Sequence, residues 1–134
     1  MKARHESICI ILFCIYLTAV GVLCFVKPSS LPEMDIKTFM GIPIDKILHF
    51  LMFFPYPILS GAVFIRRDCR LTCGFIVLGI LTATGIGVAY GTEAIQACIG
   101  YRSYEKSDIN ADLYGLVAGC LAAAIYLIYT RLKK

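Results

Sequence analysis

The sequence predicts an all-α integral membrane protein, a bundle of four transmembrane helices with both termini in the cytoplasm. The first observation is composition: of 134 residues, 59% are hydrophobic and only 16% are charged, with a mean hydropathy of +0.78. Soluble domains carry about a quarter charged residues. The second observation is four long runs that are apolar all the way round, which indicates helices surrounded by lipid. Since a spanning helix needs roughly 20 apolar residues, four of them nearly fill the chain, and we expect a single domain over 1–134.

The first run, 7–26, follows Lys2 and Arg4. A signal peptide has an apolar core of about 7–15 residues that ends at a small-residue cleavage site. This run is longer and continues into "CFVKPSS". We therefore expect a retained membrane span. The connection after it, 27–45, is the longest, and its centre "MDIKTFMGI" predicts a short helix at the membrane interface, with a lid as the alternative.

The second run, 47–65, contains Pro55 and Pro57, which remove backbone donors and predict a kink. The third run, 71–97, is rich in glycine. Small residues let membrane helices approach closely, so we expect four of these glycines to be helix-packing positions: Gly79, Gly85, Gly87 and Gly91.

The fourth run, 109–129, follows Ser107 and Asp108, both good N-cap residues. Below them, polar and small residues recur every three or four positions along one helix face. This stripe consists of Asp108, Asp112, Gly115 and Gly119. Gly115 and Gly119 predict close packing of another helix, in which case Asp112 also faces the bundle.

Charge placement predicts the orientation. Basic residues precede the first run, fill the link at 66–70 and follow the fourth run, so all three groups lie on one side if the spans alternate. The positive-inside rule assigns that side to the cytoplasm, and we expect a multi-pass membrane protein. Seven of the nine carboxylates then fall toward the outer side.

The basic groups have no features of a nucleic-acid surface, and the seven cysteines have no spacing typical of a disulfide framework or zinc site.

Ionisable residues inside apolar sequence are costly and are by default either paired or functional. Here they gather near the predicted outer ends of three spans. The candidate ligand-binding residues are Asp45, Lys46, His49, Glu93, Gln96, Arg102, Asp108 and Asp112. A structural alternative stays open, in which Arg102 and Lys46 pair with the acids and latch the outer loops onto the helix ends.

The ordered set "DKILHF" at 45–50, Glu93-x-x-Gln96, Arg102 and "SDINADLYGLVAG" resembles the VanZ-like family of small bacterial membrane proteins. Asp112 stands where that family more often has Asn. The resemblance covers 45–120 and implies a link to resistance against teicoplanin, a lipidated glycopeptide antibiotic.

Three functional hypotheses follow. The first is a non-enzymatic envelope protein, without metal or cofactor, that binds a polar head group; its expected partners are membrane lipids and a lipid-linked wall precursor or glycopeptide. The second is a membrane hydrolase or metal-dependent enzyme acting on a lipid-linked substrate, with Asp45, His49, Glu93 and Asp112 as ligands or acid–base groups. The third is a transporter or proton relay, for which four spans would suffice as a homo-oligomer.

Overall fold

The computed structural model describes residues 2–25, 38–66, 68–100 and 105–133. Helix α1 covers Lys2–Phe25, α2 covers Ile44–Phe53, α3 covers Pro55–Phe64, α4 covers Leu71–Ile99 and α5 covers Lys106–Leu132. Because α2 and α3 follow each other directly, the five segments make four spans, each long and apolar enough to cross a membrane. The predicted all-α bundle of four membrane-spanning helices is confirmed.

The second span is interrupted at Phe54, where the two prolines predict a kink. Phe54 keeps helical dihedral angles, and its N–H still bonds the carbonyl of Phe50 at 2.9 Å. Since Pro55 and Pro57 have no N–H to donate, the backbone bonding of this turn is incomplete. Near this turn, the Tyr16 hydroxyl on α1 also donates to the Met52 carbonyl at 2.5 Å.

Helix α5 packs closely against this interruption. A side chain at Gly115 would collide with the Phe50 carbonyl, and one at Gly119 would collide with the Phe54 carbonyl. The glycine stripe therefore lets the α5 backbone touch the α2–α3 backbone, which fixes the depth of α5 relative to α2. A buried apolar cluster continues this interface toward α4 and α1; its centre is Phe53, Tyr56, Ala89 and Leu116.

Only one of the four glycines that we expected to pack in α4 does so. A Cβ at Gly85 would lie 2.7 Å from a Leu116 methyl and 2.8 Å from the Tyr56 ring. At Gly79, Gly87 and Gly91, no described atom outside the neighbouring backbone of α4 lies within 4 Å of the Cβ position. The prediction is wrong for these three, because the other helices cover only one face of α4.

The predicted interfacial helix over 34–42 is also wrong where the structure describes it, from residue 38 onward. Strand β1 (Thr38–Phe39) pairs antiparallel with β2 (Ile42–Pro43) through a two-residue turn. Met40 and Gly41 both have positive φ, 51° and 82°. Such dihedral angles at both turn positions are typical of a tight hairpin. Residues 34–37 lie outside the described part.

Candidate functional site

The start of α2, the end of α4 and the start of α5 meet at one end of the bundle, and their polar side chains contact each other. We call this set the polar cluster; its members are Asp45, Lys46, His49, Glu93, Glu105, Asp108 and Asp112. It has two layers. The upper layer comprises Asp45, Lys46, Glu105 and Asp108, and the buried layer comprises His49, Glu93 and Asp112.

The Lys46 amine is the centre of the upper layer. Its Nζ lies 3.0 Å from Asp45 Oδ2 and 2.9 Å from Glu105 Oε2, and it also donates to Asp108 Oδ1. The side chains of Asp45 and Glu105 are 39% and 51% exposed, whereas that of Asp108 is only 3% exposed. The upper layer is thus exposed at Asp45 and Glu105 and buried at Asp108. Lys46 forms ion pairs with all three carboxylates.

In the buried layer, an imidazole lies between carboxylates of α5. His49 Nδ1 is 2.9 Å from Asp112 Oδ1, and His49 Nε2 is 3.6 Å from Asp108 Oδ2. Asp112 is fully buried, and its second oxygen, Oδ2, has no hydrogen-bond partner in the described chain. Glu93 from α4 is 2% exposed, and one of its oxygens lies within 4.8 Å of ligand-type atoms of both His49 and Asp112.

Gln96, one turn beyond Glu93 on α4, connects the cluster end to the first span. Its Nε2 donates to the Cys24 carbonyl near the end of α1 at 2.7 Å, while its Oε1 is buried without a described partner. The role of Cys24 was missed from the sequence, because an accepting backbone carbonyl leaves no signal in residue type.

The predicted capping role of Ser107 and Asp108 is wrong. Helix α5 begins at Lys106, with Glu105 in the N-cap position and no side-chain cap bond. Asp108 therefore lies within the first turn, where its carboxylate bonds Lys46 and faces His49. Glu105, which we did not include among the candidate residues, is the member that sequence reasoning missed.

The other candidate residues are placed as follows. Asp45, Lys46, His49, Glu93, Asp108 and Asp112 come together in the polar cluster, and Gln96 lies one turn from it. Gly115 and Gly119 lie on the same α5 face, against α2 and α3. Arg102 lies outside the described residues. The contact of Lys46 with Asp108 matches the latch interpretation, but that interpretation leaves the buried layer unexplained, since Asp112 Oδ2 has no described partner.

The polar cluster carries an excess of negative charge and of hydrogen-bond acceptors. Five carboxylates share one lysine and one histidine. Ionised carboxylates only accept hydrogen bonds, so the cluster suits ligands that bring donors or positive charge: amines, hydroxyl groups or cations.

The ion pair between Lys46 and Glu105 in the upper layer changes the pKa of the Glu105 carboxyl, which can be measured. Because the Lys46 amine favours the ionised carboxylate, it lowers the pKa of Glu105 below its ordinary value of 4.5. A lowered pKa means that this contact stabilises the fold at neutral pH and that the contribution is lost as the pH falls through the folded-state pKa. In Lys46→Met, we expect the pKa of Glu105 to rise toward its ordinary value, as followed by carbon NMR of the side-chain carboxyl. Asp68→Asn, at the other end of the bundle, should leave the titration of Glu105 unchanged; an identical shift in both variants would contradict this assignment.

No protein-family model, curated protein or solved structure matches this chain. What is established is a multi-pass membrane protein with a polar cluster at one end of its bundle.

Proposed function

We propose that this chain is a VanZ-like envelope protein of the bacterial cytoplasmic membrane, whose polar cluster binds the polar head group of a lipid-linked wall precursor or of a lipidated glycopeptide. On this proposal it lowers susceptibility to teicoplanin-like antibiotics or maintains the cell envelope, and it does so by binding. The resemblance of residues 45–120 motivates the proposal.

Orientation follows from the charge pattern. With the basic residues of 66–70 and of the chain's end in the cytoplasm, as the positive-inside rule requires, the polar cluster lies at the external face. A head group of the outer leaflet then has direct access to Asp45 and Glu105, the exposed carboxylates of the upper layer.

The observation that carries the proposal is the composition of this accessible layer. Its three carboxylates exceed its one ammonium group, and that ammonium is already bonded to all three. Lys46 is therefore not available as a phosphate ligand, and the layer favours the amines and hydroxyl groups of a sugar or peptide head group. Recognition of a phosphate or carboxylate on the same ligand falls to Arg102, whose planar guanidinium suits both groups.

The test is antibiotic susceptibility of a glycopeptide-susceptible bacterium that expresses the chain. We expect the wild type to raise the inhibitory concentration of a teicoplanin-like glycopeptide. The double variant Asp45→Asn/Glu105→Gln should lose this effect, because it removes the two exposed carboxylates. Arg102→Ala should also lose it, because the phosphate or carboxylate of the ligand then has no guanidinium partner.

Asp68→Asn is the matched control, since it removes one exposed carboxylate at the opposite end of the bundle. Membrane levels of all variants are compared by immunoblot. Wild-type susceptibility equal to that of the empty vector, or full protection by both site variants at equal membrane levels, would refute the proposal.

A further inference from the structure

The buried layer has the composition of a metal site. One imidazole and two carboxylates, from three different helices, converge until one potential ligand atom of each lies within 4.8 Å of the others. Two ligands at about 2.1 Å from an octahedral ion lie about 3 Å apart when adjacent and about 4.2 Å apart when opposite, and in a tetrahedral site every pair lies about 3.4 Å apart. The distance of 2.9 Å between His49 Nδ1 and Asp112 Oδ1 is that of a hydrogen bond, and it is also compatible with two adjacent ligands of an octahedral ion. The Glu93 carboxylate, which lies within 4.8 Å of the other two ligand atoms, would move closer to complete the set.

A second observation points to a ligand. Asp112 is completely buried, and its Oδ2 has no hydrogen-bond partner in the described chain. An unsatisfied buried polar atom costs about 1–3 kcal/mol, and more for a charged group. The hydrogen bond to His49 uses only Oδ1, so a hydrogen-bonded His–Asp pair by itself leaves this oxygen unexplained.

When both carboxylates are ionised and the imidazole is neutral, charge balance favours a divalent ligand. Glu93 and Asp112 bring two negative charges into a region that apolar helices surround, where an isolated charge is costly. A divalent cation bound to both carboxylates and to a neutral imidazole makes the set neutral. A monovalent ammonium group would balance only one of the two charges.

The environment of His49 Nε2 also supports a divalent cation at Nδ1. Metal-bound histidines usually direct their other ring N–H toward a carboxylate or carbonyl, which fixes the ring and makes it a better ligand. With His49 Nδ1 toward the ion, Nε2 faces Asp108 Oδ2 at 3.6 Å, and Lys46 in turn holds Asp108. The upper layer thereby orients the buried layer.

We propose that His49, Glu93 and Asp112 bind one divalent transition-metal ion of the Mn²⁺ or Zn²⁺ class. Imidazole favours transition metals over Mg²⁺ and Ca²⁺, and the two carboxylates make the set hard enough for Mn²⁺. This site does not depend on the proposed function, because it uses a different layer of the cluster and requires no head group.

The experiment uses the full chain in lipid nanodiscs, stripped with a chelator and then titrated with Mn²⁺ or Zn²⁺. We expect one ion per chain by elemental analysis. Bound Mn²⁺ should show nitrogen hyperfine coupling in pulsed electron paramagnetic resonance. That coupling should vanish in His49→Gln and persist in His5→Gln, which changes the only other histidine of the chain.

Loss of a carboxylate ligand should weaken binding by at least about tenfold, the lower bound for loss of even an outer partner. We expect this for Asp112→Asn and Glu93→Gln, whereas Asp68→Asn should bind as the wild type does. The nitrogen hyperfine coupling is measured on the wild-type protein. The proposal can therefore be tested even when a substitution prevents folding.

Three outcomes would overturn the proposal: no stoichiometric binding of either metal, bound Mn²⁺ without nitrogen coupling, or metal affinity unchanged in folded Asp112→Asn and Glu93→Gln. A functional head-group site without metal would refute this inference alone. Stoichiometric metal with unchanged glycopeptide susceptibility would refute the proposed function alone.

Discussion

Replacing Gly119 by alanine is expected to destabilise the bundle by about 1–3 kcal/mol, the cost of forcing extra atoms into a well-packed interface. The added methyl group would collide with the Phe54 carbonyl and would lie 3.1 Å from Pro57 Cδ. Neither neighbour can rotate away, because one is backbone and the other is a ring. Helix α5 must therefore shift relative to α2, and His49 and Asp112, which lie on these two helices, should separate as well.

The measurement is the free energy of unfolding in mixed detergent micelles, by titration with a denaturing detergent. Gly79→Ala is the matched control, since it makes the same change in another spanning helix, at a position where no described atom outside the neighbouring helix backbone lies within 4 Å of the added group. We expect its stability to equal or slightly exceed that of the wild type, because alanine favours helix over glycine. Equal stabilities of the two variants would mean that α5 does not pack against the Phe54 region as described.

Lys46→Met is expected to cost about 3 kcal/mol, because removal of one partner leaves a buried charge without compensation. Asp108 is the residue that suffers most: its side chain is 3% exposed, and the lost ammonium is its ion-pair partner. The long apolar side chain of methionine keeps the packing of the lysine methylene groups. The measured loss of stability therefore reports the removal of the ammonium charge alone.

A double-mutant cycle tests this explanation. Asp108→Asn in the Lys46→Met background should restore part of the lost stability, because the uncompensated charge is then gone. Asp68→Asn breaks the exposed pair with Arg66, whose atoms lie 3.2 Å apart, and it should have little effect because solvent screens exposed pairs. Additive effects of the Lys46 and Asp108 substitutions would show that the two charges are not coupled.

Hydropathy alone predicts the number of spans and their approximate positions, but it places the start of the second and fourth spans too late. Helix α2 begins at Ile44 and α5 at Lys106, three residues before the apolar runs at 47 and 109. In both cases the omitted turn contains a charged residue, Lys46 or Asp108, which lowers the local hydropathy and is costly in a membrane helix. Each is accommodated because its partner is on the other helix, and such pairing between distant residues is invisible in local composition.

The candidate site could be predicted as a set of residues but not as a geometry. Helical spacing indicates that Asp108 and Asp112 share a face, and the structure places both against α2. Spacing does not reveal which acid Lys46 bonds, nor that His49 lies between two carboxylates. The two errors in short segments have a common origin: the hairpin at 38–43 and the helix start at Lys106 depend on backbone conformation at a few residues, where apolar periodicity carries no information.

The pairing of α2 with α5 has a consequence for biosynthesis. Lys46 and His49 leave the ribosome more than 60 residues before their buried partners Asp108 and Asp112, since these paired positions are 62 and 63 residues apart. The second span is also the least hydrophobic of the four, with a mean hydropathy of 1.7. Until α5 has been synthesised, Lys46 and His49 therefore lack the buried carboxylates of Asp108 and Asp112, so the second span enters its final environment only after α5 is available.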